Sequence, residues 1–325
     1  MSGWQSSARL SGLVSVVLGA ASLTACAGPS IHSDVTRVQD LSRVEHLTQL
    51  VELEVDPVAA EDAQRLLAGT LDADTAVRVA LLNNRELRAT LRELGVARGH
   101  LMQAGVLPNP VVELEILPER NSQLELRVEW DITSVVLAPR RARAAEPALL
   151  AARYRVAGAV VDLGYRVRVA FYAVQAAQQR LGVAQRMLDT FAAGRDAARA
   201  IFEAGNSAEL DLASQEVAYE RARITVAQLE LDAATAREVL QRLLGAHGED
   251  TAWTVTAELP DVPASVTLPD ALETQALQAS LELHETRQRL EGLARRTGVA
   301  RVAGWLPDVA VDVHALHGNP EDGAA

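Results

Sequence analysis

The 325-residue chain has no lysine, a single cysteine, three methionines and only 3% aromatic residues. Each scarcity excludes something. One cysteine rules out a disulfide framework and a cysteine-based metal site. Three methionines cannot build a soft-metal ladder, and Met102 and Met187 fall in helical seams, where gap-filling is their ordinary role. With few aromatics, the apolar content is mostly Ala, Leu and Val, which suits close packing of long helices better than a bulky core. All 31 basic residues are Arg, against 43 acidic ones. A net charge of −12 argues against a nucleic-acid binder, which needs a basic footprint. No His-Glu-x-x-His, phosphate-cradling Gly loop or Gly-x-Ser-x-Gly occurs, so the residues point away from an enzyme. His314 and His317 are close in sequence, but a strand sends them to opposite faces with no third ligand nearby. They read as solvated side chains rather than ligands, and neither a metal site nor a cofactor is expected.

What is present begins with an export signal over residues 1–25. Arg9 supplies its positive region, and Leu13 to Leu23 form an apolar run too short to span a bilayer comfortably. The run ends in Leu23-Thr24-Ala25-Cys26, which resembles the lipobox of bacterial lipoproteins. That resemblance implies cleavage before Cys26, acylation of its sulfur and its new amine, and stable anchoring by several acyl chains. The plainer alternative is an incidental thiol after an ordinary signal. Ala27, rather than Asp, follows the cysteine, which by analogy points to the outer membrane.

Residues 26–70 read as a polar, lightly structured lead-in. Asp72 or Asp74 then caps a helix that runs to about Gly105, ended by Leu107-Pro108-Asn109-Pro110. A β-hairpin follows over about 108–133, turning at Pro118 to Ser122. Val112, Leu114 and Ile116 alternate with Glu113 and Glu115, and Leu126, Val128 and Trp130 alternate with Glu125, Arg127, Glu129 and Asp131. A lipid-facing barrel strand reads this way, and so does a soluble sheet with one face on a core.

From about 139 to 245 the pattern is helical. A heptad runs through Val160, Leu163, Val167, Ala170, Val174, Ala177, Leu181, Ala184, Leu188 and Phe191, which predicts coiled-coil packing. In the second arm the expected seam is Leu210, Val217, Ile224 and Leu231, with Ala213, Ala227 and Ala234 between. Gly205-Asn206-Ser207 is the strongest breaker between the arms. Residues 246–269 form a connector with a short strand expected near Trp253-Thr254-Val255.

A second helix over 270–298 and a strand over about 306–316 then repeat the opening. Ala80-Leu81 and Glu86-Leu87 match Ala276-Leu277 and Glu282-Leu283 at an offset of ~196 residues, and Leu107-Pro108 matches Leu306-Pro307 at ~199. The tail 318–325 is polar and reads as disordered.

These parts in this order resemble the TolC-like outer-membrane efflux proteins, in their lipoprotein branch. The matching residues are Asn84-Arg85-Glu86-Leu87, Ala104-Gly105-Val106-Leu107-Pro108-Asn109-Pro110, and Ala204-Gly205-Asn206-Ser207 with Leu210-Asp211. The implied fold is mainly α with a β-hairpin: a long coiled-coil-like helical hairpin plus membrane β-barrel strands, in a two-repeat architecture. The first repeat spans 71–245, and the second, 270–325, is incomplete.

The implied function is the outer-membrane channel of a tripartite efflux system. Such a channel is a homotrimer, lipid-anchored in the outer membrane and extending into the periplasm. It exports small molecules or metal ions passively, with a periplasmic adaptor and an inner-membrane pump. In the family the helix-hairpin turn meets the adaptor, which here falls on Gly205, Asn206, Ser207, Leu210 and Asp211; a plain hairpin turn accounts for the same residues. Val112, Leu114, Ile116, Leu126, Val128 and Trp130 would face lipid. Glu113, Glu115, Glu125, Arg127, Glu129 and Asp131 would face the lumen and attract cations, or else be solvated charges. The alternative is a periplasmic coiled-coil lipoprotein acting as scaffold or adaptor, which needs the apolar strand faces covered by protein. No second hairpin strand or helical pair follows Val313, so the chain reads as C-terminally truncated. It would then leave a raw strand edge and form no working trimeric duct by itself.

Overall fold

The computed structural model describes residues 32–44, 63–117, 123–265 and 269–317. The signal over 1–25, Cys26, the turn at 118–122 and the tail at 318–325 lie outside the described residues. In chain order the elements are α1 (His32–Ser42), β1 (Thr70–Leu71), α2 (Ala73–Asn83), α3 (Arg85–Gly105), β2 (Val111–Leu117) and β3 (Gln123–Asp131). There follow α4 (Ile132–Glu203), α5 (Glu209–Leu244), β4 (Thr254–Val255), α6 (Leu272–Ala279), α7 (Leu281–Ala303) and β5 (Ala310–His317).

The single helix expected from Asp72 to Gly105 is two helices. Asp72 does cap the first, its carboxylate accepting from the Thr75 amide at 2.7 Å. The break comes at Asn84, whose extended backbone ends α2 and begins α3. Its Oδ1 accepts from the Leu87 amide at 2.9 Å, so one side chain supplies the cap that lets the chain restart. The corresponding residue of the second copy, Ser280, does the same, accepting from Leu283 at 3.3 Å. The helix expected over 270–298 is therefore also split, and it continues past Gly298 to Ala303.

The long helix starts earlier than expected, at Ile132 rather than Pro139, and runs for 72 residues. At 1.5 Å per residue that is ~108 Å. Pro139 and Pro147 sit inside it. Proline removes an amide donor from the ladder, so the carbonyl four residues back loses its partner. For Pro147 that carbonyl belongs to Arg143, and Arg295 of α7 donates to it at 3.0 Å. A neighbouring helix thus repairs the gap that Pro147 leaves in the ladder.

The heptad of α4 is buried from Val160 to Val174 and again at Ala184, and half-buried at Leu181, Leu188 and Phe191. The seam expected in α5 is a correction. Leu210, Val217, Ile224 and Leu231 are exposed, and the side of α5 turned inward carries Ala222, Val226, Leu229 and Leu240. Two apolar stripes share this helix, and spacing by seven cannot tell which one meets α4.

The lead-in is likewise more structured than expected. α1 docks against α4, with Val35 and Val38 fully buried in the core. Its Asp34 is buried, and Arg98 and Arg153 both donate to its carboxylate. In the connector, β4 pairs in parallel with β1, Thr70 opposite Thr254. Trp253 beside it is the largest fully buried side chain among the described residues. Arg237 lies 3.9 Å over its ring and donates to the carbonyls of Thr251 and Trp253 at 2.7 Å.

Candidate functional site: the sheet and the tip of the rod

The alternation of β2 and β3 places two chemically opposite faces on one small sheet. β2, β3 and β5 pair antiparallel in that order, so β5 has a partner along its β3 side. The raw strand expected at the second Leu-Pro segment is therefore paired on one edge. Its entry is stitched to the start of α4: the amides of Ile132 and Thr133 donate to the Val309 carbonyl, and the Thr133 hydroxyl donates to Pro307 O at 2.9 Å.

Residues directly opposite in adjacent strands share a face. Val112, Val128 and Val313 align across the sheet, as do Leu114, Leu126 and Ala315, and Trp130 faces Val311. Nothing among the described residues covers this side: Val112 and Leu114 are each 62% exposed, and Val313 is 58% exposed. Trp130 keeps its indole N–H satisfied by donating to Pro108 O at 2.9 Å. Ile116 pairs through its backbone with Leu124; its side chain lies outside the described residues.

The other face aligns Glu113, Arg127 and His314, then Glu115 opposite Glu125, then Glu129 opposite Asp312. Arg127 stands at its centre, 3.8 Å from Glu125 and 3.9 Å from both Glu113 and Asp312. His314 bridges Glu125 at 3.2 Å and Asp312 at 3.0 Å. Sequence reading missed Asp312 as a member of this face and took His314 as merely solvated. The alternation Val311-Asp312-Val313-His314 carried the signal, since it matches the pattern of β3. The register also puts His317 opposite Leu124; its side chain lies outside the described residues. Among the described residues no group of three or more His, Cys, Asp or Glu could hold a metal ion.

Asp131 has another occupation. It caps α4, accepting from the Ser134 amide at 2.9 Å, and the hydrogen bonds from Ser134 hold its carboxyl below the ordinary range. Glu115 and Glu129 are the carboxylates of this face with no ion pair among the described residues.

At the far end of the rod, α4 closes with Gly205 at φ +76°, a left-handed turn that suits glycine. The Gly205 amide donates to Phe202 O at 2.8 Å and that of Asn206 to Ile201 O at 3.0 Å, which satisfies two of the last carbonyls of the helix. Asp211 accepts from the Ala208 amide at 3.3 Å at the start of α5. Ser207 Oγ is buried without a hydrogen-bond partner, whereas Leu210 is 75% exposed. The tip is therefore a turn over Gly205, Asn206 and Ser207 followed by the first turn of α5, which holds Asp211 and projects the Leu210 side chain. Behind the tip the two arms are tied by Arg199–Glu216 at 2.8 Å and by Arg195 over the Tyr219 ring at 4.0 Å.

No helix among the described residues is long and apolar enough to cross a membrane. The cobalt-zinc-cadmium resistance protein CzcC of Cupriavidus metallidurans is 30% identical over 256 residues, which span 77% of this chain and 60% of CzcC. In fold, the chain superposes on CusC, whose crystal structures concern transmembrane channel formation, with a TM-score of 0.63 at 20% identity. The match covers 76% of this chain and 60% of CusC. The outer membrane channel CmeC of Campylobacter jejuni matches with a TM-score of 0.61 at 15% identity, covering 77% of this chain and 57% of CmeC. The chain thus spans about 60% of the length of these relatives. Residues 76–246, just over half of the chain, match the family described as "Outer membrane efflux protein". The chain belongs to the outer membrane efflux protein family.

Proposed function

We propose that the protein acts as the outer-membrane channel of a tripartite efflux system, a passive duct working with a periplasmic adaptor and an inner-membrane pump. The observation that carries this reading is the bare apolar face of the sheet. A row of Val, Leu and Trp open to solvent on a sheet whose other side is charged suits a lipid-facing strand set with a polar lumen. The scaffold alternative needs that face covered by protein, and the described residues leave it bare.

In this reading Val112, Leu114, Ile116, Leu126, Val128 and Trp130 contact lipid, and Cys26 carries the acyl anchor. Gly205, Asn206, Ser207, Leu210 and Asp211 meet the adaptor. The two copies of helix and strand form halves of one repeat architecture. The exposed α5 stripe of Leu210, Val217, Ile224 and Leu231 supports a homotrimer, since a heptad turned outward calls for a neighbouring helix. Kinship with a cobalt-zinc-cadmium resistance protein supports divalent metal ions as cargo.

Glu113, Glu115, Glu125, Arg127, Glu129 and Asp131 line the lumen, joined by Asp312 and His314. Their contributions are unequal, because the single positive charge of Arg127 is shared among Glu113, Glu125 and Asp312 and offsets them in part, while Asp131 is held as a cap. Among the described residues Glu115 and Glu129 have no such counter-charge, and each presents a full charge to a passing ion. In pores that contain this chain, Glu115→Gln with Glu129→Gln is expected to lower the cation-to-anion permeability ratio by roughly two- to threefold. Glu113→Gln, a single and partly offset charge, is expected to change it less. Equal effects from all three substitutions, or none from any, would contradict this division of labour.

A further inference from the structure

Where α3, α4 and α7 approach the sheet, they leave a cavity of about 670 Å³ between them. Its size suits a small ligand or part of a lipid. Its walls are alanine and valine except for three side chains: His100 of α3, Arg141 of α4 and Arg296 of α7. No carboxylate lines it.

The cations are poorly partnered within the protein. Arg295, next in sequence, is satisfied by Glu291 at 2.8 Å and Glu146 at 3.3 Å. Arg296 and His100 have no hydrogen bond or ion pair among the described residues. Arg141 gives Nη2 to Ser134 O at 2.7 Å, but its Nε is buried without a partner. Asp131 at the start of α4 acts on Arg141 by charge from outside the cavity. Two guanidinium groups around an apolar trough whose own lining holds no carboxylate complement an amphiphile with an anionic head.

Position narrows the class. Arg141 lies ~14 Å along α4 from its junction with β3, and Arg296 ~10 Å from the end of α7, at 1.5 Å per residue. If the apolar sheet face spans the hydrocarbon layer, as proposed above, the cavity opens just beyond it. Headgroups occupy that layer, and long Arg side chains reach toward it. We propose that this cavity binds an anionic phospholipid of the membrane, its phosphate held by Arg296 and Arg141 and its first acyl carbons lying along the alanine wall. The inference rests on the membrane placement of the sheet but not on conduction.

Native mass spectrometry of the full chain in non-ionic detergent tests it, with phosphatidylglycerol or phosphatidylcholine added. Phosphatidylglycerol should be retained in preference to phosphatidylcholine, and inorganic phosphate at equal concentration should not displace it. Arg296→Gln, at an exposed position, should weaken phosphatidylglycerol binding by about fivefold, the share expected of one arginine at a lipid surface. Ala145→Trp, which fills the cavity, should abolish it. If Ala145→Trp lowers helical circular dichroism, Arg296→Gln decides alone.

Equal retention of the two lipids, displacement by phosphate alone, or no effect of Arg296→Gln would overturn the proposal. So would loss of lipid on self-association, which would make a second copy of the chain the occupant. Channel conductance measured separately leaves the duct reading to stand or fall by itself.

Discussion

Gly245→Ala is expected to destabilise the protein by about 3–4 kcal/mol, a large effect for a single methyl group. Gly245 ends α5 at φ +68°, where a residue with a Cβ is strained by roughly 1–2 kcal/mol. The added Cβ would also stand 2.6 Å from the Asn83 carbonyl oxygen and 3.0 Å from its carbon, so backbone must move. That backbone is held. Asn83 Nδ2 donates to Gly245 O at 3.0 Å and to Leu244 O at 3.3 Å, and Asn84 Nδ2 donates to Leu243 O at 3.0 Å. The last carbonyls of α5 thus depend on two asparagines at the break between α2 and α3, and shifting Asn83 forfeits about 1 kcal/mol for each bond lost.

Gly205→Ala is the control. It has the same left-handed backbone at φ +76° but open space around it, so only the conformational strain applies. Denaturant unfolding of the full chain in detergent, followed by helical circular dichroism, should separate the two variants by about 2 kcal/mol. Equal losses would mean that the asparagine clamp yields.

The same clamp marks the boundary of what could be read from the residues. Periodicity revealed the α4 heptad, the hairpin and the two charged and apolar strand rows, because each is written at fixed spacing along one element. The break at Asn84 escaped, since an asparagine within an apolar period looks like a solvated position until a second helix end needs its donors. Pro139 misled as the apparent start of the long helix, which begins at Ile132, and Pro147 is accommodated within it because Arg295, distant in sequence, repairs the carbonyl that it orphans.

Leu210, Val217, Ile224 and Leu231 were legible as a stripe but not as the outward one, because Val226 and Leu240 form a second stripe on the same helix. The charged sheet face was readable as a row of carboxylates. Arg127's central place in it was not, because that depends on the register of three strands.

Asp34 is the clearest case of chemistry hidden from periodicity, and its replacement carries the second large effect. Burial alone would raise its carboxyl, but hydrogen bonds and charge from Arg98 and Arg153 outweigh that and hold it below its ordinary value. The carboxylate joins α1 to both α3 and α4. Asp34→Asn would leave two guanidinium groups facing a neutral amide in a site with no other acid among the described residues. Removing one partner of a buried ion pair costs about 3–5 kcal/mol. Arg98 and Arg153 keep 24% and 20% of their side chains exposed, so screening brings the expected loss to about 2–3 kcal/mol.

The sign with pH follows from the direction of the shift. A carboxyl lowered in the folded state contributes stability that is fully present above its unfolded value, about 4, and is lost as pH falls through the folded one. The gap between the original protein and Asp34→Asn should therefore be constant from pH 5 to 8 and close below about pH 4. Unfolding curves of both proteins across that range decide the matter. A gap that persists undiminished in acid would assign Asp34's role to shape and hydrogen bonding rather than charge.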